Sequence, residues 1–228
     1  RVVVVGVGGV GSWAVEALAR SGVGRLHLID PDHVAESNVN RQLPAVESEF
    51  GRPKVQVLRQ RIGLINPLCE VSLFEDWLTA DNLADAIDPR ADWVVDCIDA
   101  FRVKAALIAW CRRYRQAVIT TGGAGGQIDP SRIRVSDLRR TEQDPLLART
   151  RKLLRQDYGF PSNPKRRFGV PAVWSDEPQI ESRSECGLQG DSSLNCAGFG
   201  ACTMVTATFG MAAAAHVVAA IVAAASEK

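Results

Sequence analysis

The sequence lacks a charge imbalance that would indicate the nature of its partners. Its 27 Lys and Arg residues and 26 Asp and Glu residues leave a formal net charge of +1 over 228 residues. The chain as a whole therefore has no electrostatic signature. A chain of this length can form one large domain or two small ones and bury most of its apolar surface.

Paired cysteines are also missing. The six cysteines, at positions 69, 97, 111, 186, 196 and 202, form no Cys-x-x-Cys pair and have no regular spacing. No signal peptide is visible, so we predict reduced thiols in a cytoplasmic protein, with Cys97 and Cys111 as inert core residues. The first residue is not Met and lies directly before a predicted strand, so we expect that an N-terminal segment precedes it.

Charged side chains are absent from residues 197–226. An uncharged segment of this length is long enough to span a bilayer. It is, however, rich in Ala and Thr, contains several Gly residues and His216, and has few Leu, Ile or Phe. We therefore predict a buried or dimer-interface helix, with a membrane-associated segment as the alternative.

The beginning of the chain carries the most informative motif. Val2 to Val5 lead into the glycine-rich stretch Gly6-Val-Gly-Gly-Val-Gly11, which a helical stretch from Ser12 to Ser21 follows. A second apolar run, Leu26 to Ile29, then ends on Asp30. This order of strand, glycine turn, helix, strand and acid is typical of a nucleotide site.

Each glycine of this turn has a physical role. Gly6 permits the tight turn, Gly8 lets a phosphate approach the backbone, and Gly11 lets the helix pack close to the strand. The helix N-terminus offers free N–H groups to a phosphate, and Asp30 lies where an acid would hydrogen-bond a ribose hydroxyl. The turn alone leaves open whether the nucleotide is a redox dinucleotide or ATP.

Strands and helices alternate along the next hundred residues. This spacing predicts an α/β fold with a doubly wound, Rossmann-like, mostly parallel sheet and helices on both faces. The predicted elements are a helix opening at Gly51-Arg52-Pro53-Lys54, a strand at Glu70–Phe74, a short helix from Thr79 to Ile87, a strand at Trp93–Ile98, a helix at Arg102–Tyr114, and a strand at Ala117–Thr121. Further strands are predicted at Arg132–Val135 and Val170–Trp174, a helix from Asp144 to Gln156, and a long loop over residues 175–196.

Three charged residues favour ATP over a redox dinucleotide. An ATP-consuming site needs cations for the phosphates and a carboxylate for Mg²⁺. Arg41 and Lys54 follow the second predicted strand, and Asp99 follows the fourth. Ligands of open α/β sheets bind at these carboxyl ends. A redox dinucleotide site requires none of the three residues.

The middle of the chain is strongly basic although the whole is not. Residues 131–170 contain eleven Lys and Arg residues and four acids. The simplest interpretation is a solvated surface, and the alternative is a basic insertion that neutralises nucleic-acid phosphates. The candidate residues for binding nucleic acid in this stretch are Arg132, Arg139, Arg140, Arg151, Lys152, Lys165, Arg166 and Arg167.

Several motifs together resemble the adenylating module of E1-like enzymes. They are Gly6-x-Gly-Gly-x-Gly11, Asp30-x-Asp32-x-Val-x-x-Ser37-Asn38-x-x-Arg41-Gln42, Lys54, and Asp96-Cys-Ile-Asp99. The resemblance implies an ATP site in which Asp30 holds the ribose and Asn38 and Arg41 contact the phosphates. Lys54 would meet the α-phosphate and pyrophosphate, and Asp99 would hold Mg²⁺. The ATP-binding candidates are Gly6, Gly8, Gly9, Gly11, Asp30, Asn38, Arg41, Gln42, Lys54 and Asp99.

Later motifs resemble the tRNA threonylcarbamoyladenosine dehydratase branch of these enzymes. They are Lys104-Ala-Ala-Leu-Ile-Ala-Trp-Cys-Arg-Arg113, Thr120-Thr-Gly-Gly-Ala-Gly-Gly-Gln-Ile-Asp-Pro130 and Asn195-Cys-Ala-Gly-Phe-Gly-Ala201. This implies ATP-dependent activation of the threonyl carboxylate of a modified adenosine next to the anticodon of tRNA. Attack from within the same side group would then close a ring with net loss of water.

The resemblance also implies an organisation and partners. We expect a single adenylation domain over residues 1–228, with a nucleotide-binding core at 1–127. Residues 128–228 would supply the basic tRNA region, a loop that closes over the site, and the C-terminal apolar helix. A homodimer is expected. Whether a monovalent cation binds stays open. The absence of Cys-x-x-Cys pairs predicts that the protein has no structural zinc. Cys196 is a further catalytic candidate, as a covalent relay or as an acceptor of sulfur from a cysteine desulfurase; Cys186 is a weaker one.

Three other functions stay open. The first is an adenylyltransferase that activates the C-terminus of a sulfur-carrier or ubiquitin-like protein. The second is an NAD-dependent oxidoreductase, for which Asp99 would hardly matter. The third is a non-catalytic sulfur-relay protein that acts through Cys196 and does not need Arg41.

Overall fold

A seven-stranded sheet organises the computed structural model, which describes residues 1–179 and 200–226. The strand order is β3-β2-β1-β4-β5-β7-β6, and every neighbouring pair is parallel except β6 and β7. The strands are β1 (Val2–Val5), β2 (Arg25–Ile29), β3 (Glu70–Phe74), β4 (Trp93–Asp96), β5 (Val118–Thr121), β6 (Ile133–Asp137) and β7 (Pro171–Ser175). The prediction of a mostly parallel sheet is confirmed.

Helices cover both faces of this sheet, as predicted for a doubly wound fold. The helices are α1 (Gly11–Arg20), α2 (Lys54–Ile65), α3 (Leu83–Ala86), α4 (Phe101–Arg113), α5 (Pro145–Asp157) and α6 (Thr203–Ser226). The apolar side chains of α1, α2 and α6 share one core cluster, and those of α3, α4 and α5 share the other. The two clusters lie on opposite sides of the sheet.

Strand β1 shows why the sequence folds in this way. All four of its valines are buried. Val3 and Val5 belong to one core cluster and Val2 and Val4 to the other. Successive side chains of a strand point to opposite faces, so a strand covered on both sides is a continuous apolar run.

The strand order reverses at β1, which pairs with β2 on one side and with β4 on the other. In open α/β sheets, ligands bind in the crevice outside the carboxyl ends of the strands at such a reversal. We call the edge at which the parallel strands end the carboxyl edge, and the opposite one the amino edge.

The basic stretch 131–170 extends the same sheet. It contains β6 and α5 and ends where β7 begins, and α5 packs against α4. The two strands begin one residue later than predicted. The short helix α3 differs more from its prediction, because it starts at Leu83 rather than after Thr79. The N-cap residue is Asn82 rather than Thr79, and the Asn82 side chain accepts a hydrogen bond from the Thr79 backbone N–H at 2.8 Å.

The C-terminal helix α6 begins at Thr203, later than the uncharged segment suggests. Its first half packs tightly on α1: a Cβ on Gly210 would lie 2.5 Å from the Val10 carbonyl oxygen. Farther along the helix, Met211 and Val222 are 42% and 58% exposed. The helix is long and apolar enough to cross a membrane by length and composition, and 28% of its most apolar window is buried.

Candidate active site

A cavity of about 300 Å³ opens at the carboxyl edge, beside the ends of β1, β2, β4 and β5. Nine of the ten predicted ATP-binding residues line it. They are Gly6, Gly8, Gly9, Asp30, Asn38, Arg41, Gln42, Lys54 and Asp99. Residues separated by up to 93 positions in sequence are therefore brought to one cavity.

The tenth residue, Gly11, shapes the glycine turn from behind. A Cβ on Gly11 would lie 1.8 Å from the carbonyl oxygen of Gly6, so no other residue fits. Gly6 has φ of +80°, a conformation that L side chains rarely adopt. Both glycines keep the first turn of α1 close to the end of β1.

Asp30 fixes this turn to the end of β2. Its carboxylate accepts hydrogen bonds from the backbone N–H groups of Val7 at 2.8 Å and Asp32 at 2.9 Å. Burial raises the pKa of Asp30, against the opposing effects of Lys54 and of the two backbone N–H groups. Asp30 therefore holds the backbone around the cavity in place and also lines the cavity itself.

Lys54 is the first residue of α2 and is 4% exposed. Its ammonium group pairs with Asp32 at 2.8 Å, across the cavity wall. The sequence motif includes Asp32 but does not by itself indicate this pairing. The pair holds a cation in place where the strand β2 ends.

Arg41 lies in the polar segment after β2. Its guanidinium donates to the Ser37 carbonyl at 2.8 Å and to the Asn40 side chain at 2.9 Å. Desolvation lowers the pKa of Arg41, and the negative charge of Asp99 opposes this effect. The charges of Arg41 and Asp99 therefore interact electrostatically within the cavity.

Two amides complete this wall. The Asn38 side chain accepts a hydrogen bond from the Ala35 N–H at 3.1 Å and stabilises the turn that carries Arg41. The Oε1 atom of Gln42 is buried and has no hydrogen-bond partner among the described residues. Gln42 also faces Gly8, where an added Cβ would lie 3.5 Å from its Nε2 atom. Buried polar atoms are normally paired, so a ligand is the natural partner.

A buried ion pair, which the sequence analysis missed, supports the cavity from below. Lys104 and Asp96 are both fully buried, with Nζ and Oδ2 2.9 Å apart, and Thr120 hydrogen-bonds to both side chains. Asp96 also accepts from the Ile98 N–H at 3.1 Å and so fixes the turn leading to Asp99. The sequence feature that could have indicated this pair is Lys104, a charged residue among the buried apolar residues of α4.

The glycine loop after β5 forms the opposite wall and is held by Asp144. The carboxylate of Asp144 accepts from the Gly123 N–H at 3.0 Å and caps α5 through the Leu147 N–H at 2.8 Å. A Cβ on Gly122 would lie 1.8 Å from this carboxylate. Burial raises the pKa of Asp144. Thus α5 is tied directly to the cavity.

The predicted tRNA-binding residues lie outside this cavity. Arg132 forms an ion pair with Asp176 at 2.7 Å and shares this acid with Arg134. Arg151 is half-buried and donates to Thr141, and the Nε atom of Arg139 is buried without a partner among the described residues. Five candidates are exposed and form no ion pair within the described residues, namely Arg140, Lys152, Lys165, Arg166 and Arg167.

The cysteine predictions have different outcomes. Cys186 and Cys196 lie outside the described residues. Desolvation raises the pKa of both Cys97, which lines the cavity, and Cys111 to about 12. Neither thiol is therefore activated as a nucleophile. Within the described ranges, no group of three or more His, Cys, Asp and Glu side chains is placed to hold a metal ion.

Comparison with known proteins defines the class of this chain. The model of the ThiF family matches residues 1–228. The chain belongs to the ThiF family. It is similar to the sulfur carrier protein ThiS adenylyltransferase of Escherichia coli, with 38% identity over 130 residues. That alignment covers 56% of this chain and 51% of the relative.

A narrower group of relatives aligns over nearly the whole chain. The tRNA threonylcarbamoyladenosine dehydratase of Haemophilus influenzae is 49% identical over 219 residues, covering 96% of this chain and 84% of the relative. The crystal structure of the Escherichia coli tRNA N6-threonylcarbamoyladenosine dehydratase with AMP has a TM-score of 0.91 and 46% identity. It covers all of this chain, and the chain covers 87% of it. The same Escherichia coli enzyme has been solved with ATP, with a TM-score of 0.89.

Proposed function

We propose that this protein is an ATP-dependent dehydratase of N6-threonylcarbamoyladenosine in tRNA. One observation carries the proposal: the cavity at the carboxyl edge unites the glycine turn with Arg41, Lys54 and Asp99. These are the groups that the transfer of a nucleotide to a carboxylate requires. The relatives that cover most of the chain are dehydratases of this tRNA nucleoside, and one of them binds AMP and ATP.

The cavity wall suits ATP at several points. Gly8 and Gly9 leave the backbone open to phosphate. The Gln42 Oε1 atom, which has no partner within residues 1–179 and 200–226, supplies a buried acceptor. Asp30 lies at the end of β2, where an acid receives a ribose hydroxyl. Arg41 and Lys54 place two cations beside the glycine turn, and Asn38 lines the same wall.

Asp99 is our candidate ligand for Mg²⁺. Magnesium is commonly held by one or two carboxylates together with substrate phosphates, so one protein carboxylate is sufficient. The hydrogen bond from Ile98 to Asp96 fixes the turn that leads to Asp99. When bound, the ion would neutralise phosphate charge beside Arg41.

The chemistry follows from the weakness of a carboxylate as an electrophile. A carboxylate oxygen attacks the α-phosphorus of ATP, pyrophosphate leaves, and a mixed anhydride with AMP forms. A nucleophile of the same modified side group then attacks the acyl carbon, loses its proton and expels AMP, which closes the ring. The protein contributes position and fixed positive charge, the two factors that dominate such catalysis.

The adenylyltransferase of a sulfur-carrier protein is the second candidate. The likeness to the ThiS adenylyltransferase supports it, since the same phosphate clamp would serve a protein carboxylate. That likeness covers 56% of this chain, whereas the dehydratase relative extends over 96%. The longer match favours the tRNA substrate.

The decisive experiment measures the nucleoside itself. The protein is incubated with Mg²⁺-ATP and tRNA bearing threonylcarbamoyladenosine, and the digested nucleosides are weighed. We expect a loss of one water that requires ATP and that Asp99→Ala abolishes. Asp85→Ala, which removes an exposed carboxylate of α3, is the matched control and should leave the reaction intact. Pyrophosphate exchange that appears only with a carrier protein would replace the proposal with the second candidate.

The remaining assignments rest on the same proposal. Residues 1–127 would bind the nucleotide, and residues 128–228 would hold tRNA through the exposed basic residues, all within a cytoplasmic enzyme. Cys196 stays a candidate for acyl or sulfur transfer with a desulfurase partner. If it is essential, Cys196→Ser stops dehydration while ATP-dependent adenylate formation continues.

A homodimer would give the exposed half of α6 a partner. Met211 and Val222 are exposed there, and no charged side chain interrupts the helix. Sedimentation of the purified protein at several concentrations tests this assignment, and Val222→Asp should favour the monomer. Flotation of the protein with lipid vesicles would instead support membrane association of α6.

A further inference from the structure

A second cavity, of about 680 Å³, shares no lining residue with the proposed ATP site. Helices α4 and α5 both begin near the carboxyl edge, and the second cavity lies where both end, at the amino edge. Val103 of α4 lines the first cavity, and Ala106, about one turn farther along the same helix, lines the second. We call this second cavity the arginine–aromatic cavity. Its key lining residues are Trp110, Arg112, Arg113, Tyr114, Tyr158, Arg166 and Arg167.

Both tyrosines of this cavity are exposed. Tyr114 is 60% exposed and Tyr158 is 40% exposed. The rings of Trp110 and Tyr114 lie 4.9 Å apart at an angle of 44°, and the cavity wall continues over Phe160 and Phe168. Exposed flat rings above an apolar wall are suited to stacking with a planar ligand.

The arginines of the cavity carry uncompensated charge. Arg112, Arg113, Arg166 and Arg167 are exposed, and none forms an ion pair within residues 1–179 and 200–226. The described lining contains no acidic side chain. The guanidinium group of Arg113 lies 5.9 Å from the centre of the Tyr114 ring, so cation and ring share one side of the cavity. Guanidinium groups bind phosphate through paired hydrogen bonds.

We infer that the arginine–aromatic cavity binds one unpaired nucleotide of the RNA substrate, with its base stacked on the tyrosines and its phosphate held by the arginines. The inference rests on the proposed function and extends it to a second contact with the same RNA. Recognition of unpaired bases by aromatic stacking is typical of single-stranded RNA, whereas duplex RNA is recognised by shape across its wide minor groove. A concave cavity of this volume fits the first mode.

The first test measures binding of an unmodified tRNA transcript to the full protein without ATP. The double variant Tyr114→Ala with Tyr158→Ala should bind at least fivefold more weakly, because one stacking platform is removed. Tyr114→Phe with Tyr158→Phe keeps both rings and should bind as the parent protein does. Equal melting temperatures of the three proteins show that folding is unaffected.

The second test uses salt dependence. Replacing Arg113 and Arg167 with Gln should reduce the slope of log affinity against log salt by about 0.7 for each RNA phosphate that the protein no longer neutralises. Arg59→Gln is the matched control, since Arg59 is an exposed arginine of α2 on the other face of the sheet, and the slope should not change. On modified tRNA, the tyrosine double variant should raise KM and leave kcat unchanged.

Two results would overturn the inference. One is parental binding by the alanine variant, and the other is equally strong competition by a free mononucleotide, which would define a small-ligand site instead. The proposed function fails differently, through absence of ATP-dependent water loss in the parent protein. Cross-linking of tRNA that carries photoreactive thiouridine should label peptides containing Tyr114 or Tyr158, and labelling only near the carboxyl edge would contradict the assignment.

Discussion

The two edges of the sheet hold charge in opposite ways. At the carboxyl edge, Lys54 pairs with Asp32 and Lys104 pairs with Asp96, and both lysines are buried. Asp30 there accepts two backbone hydrogen bonds. At the amino edge, the four arginines of the arginine–aromatic cavity are exposed, and no acid lines that cavity among the described residues.

This difference between paired and unpaired charge indicates what each edge of the sheet is suited to do. Charges that are fixed before reaction stabilise a transition state without reorganising, so a reaction site needs paired and oriented groups. Unbalanced positive charge at a surface instead attracts a polyanion and releases its counterions, without orienting any reacting atom. Changes at the carboxyl edge should therefore affect stability and turnover, and changes at the amino edge should affect RNA affinity.

The largest expected effect concerns the buried pair at the carboxyl edge. Lys104→Met would leave Asp96 fully buried without its cation, which costs about 3–5 kcal/mol of unfolding free energy in comparable cases. Urea unfolding measures this loss of unfolding free energy. Lys152→Met, at an exposed position of α5, is the control and should change stability by no more than about 0.5 kcal/mol. Equal effects of the two variants would refute the structural role of the pair.

A nearly equal effect is expected on turnover. Arg41→Ala should lower kcat for the modified nucleoside at least about a hundredfold, corresponding to about 3 kcal/mol for one oriented charge contact in the transition state. Affinity for unmodified tRNA should stay within about twofold, because Arg41 does not line the arginine–aromatic cavity. A variant that keeps its turnover but binds tRNA more weakly would reverse the assignment of the two edges.

A smaller effect on stability is expected when either of two helical glycines is replaced by alanine, and the sign should differ between them. Gly210→Ala would place a methyl group 2.5 Å from the Val10 carbonyl oxygen and push α6 away from the glycine turn. We expect a loss of about 1–3 kcal/mol in unfolding free energy. Gly63→Ala in α2 meets no atom within 4 Å and should stabilise the protein by about 0.5–1 kcal/mol. Thermal or urea unfolding shows whether the two changes have opposite signs.

The smallest effect concerns thiol reactivity. The pKa of Cys97, at the carboxyl edge, is raised to about 12 by desolvation. The pKa of Cys69, just before β3 at the amino edge, is also raised, again mainly by burial. The pKa shift is large only for Cys97, so the Cys97 thiol forms less of the reactive thiolate near pH 8. Timed alkylation followed by peptide mass mapping should therefore label Cys69 before Cys97, and the reverse order would contradict this account.

Much of the fold could be predicted from sequence because its signals are local. The valine run of β1, the glycine turn and the apolar stripe of α2 each determine one element, and the alternation of elements determines the parallel sheet. The gathering of Asp30, Arg41, Lys54 and Asp99 also followed, since carboxyl ends of parallel strands meet at one edge.

The pairing of charges could not be predicted in this way. Lys104 and Asp96 are eight residues apart, and only the packing of α4 on β4 and β5 shows that both are fully buried. Asp144 reaches Gly123 across 21 positions. The basic stretch likewise did not reveal that Arg132 pairs with Asp176, or that α4 contributes side chains to the arginine–aromatic cavity.

The most direct test of the central claim follows the oxygen atoms of the substrate carboxylate. The tRNA is prepared with heavy oxygen in the threonyl carboxylate and incubated with the protein and Mg²⁺-ATP, and the nucleotide products are weighed. If the cavity at the carboxyl edge transfers AMP to the carboxylate, one heavy oxygen should appear in AMP for each ring that closes. Heavy oxygen in inorganic phosphate, with ADP as the other product, would contradict the proposed adenylate.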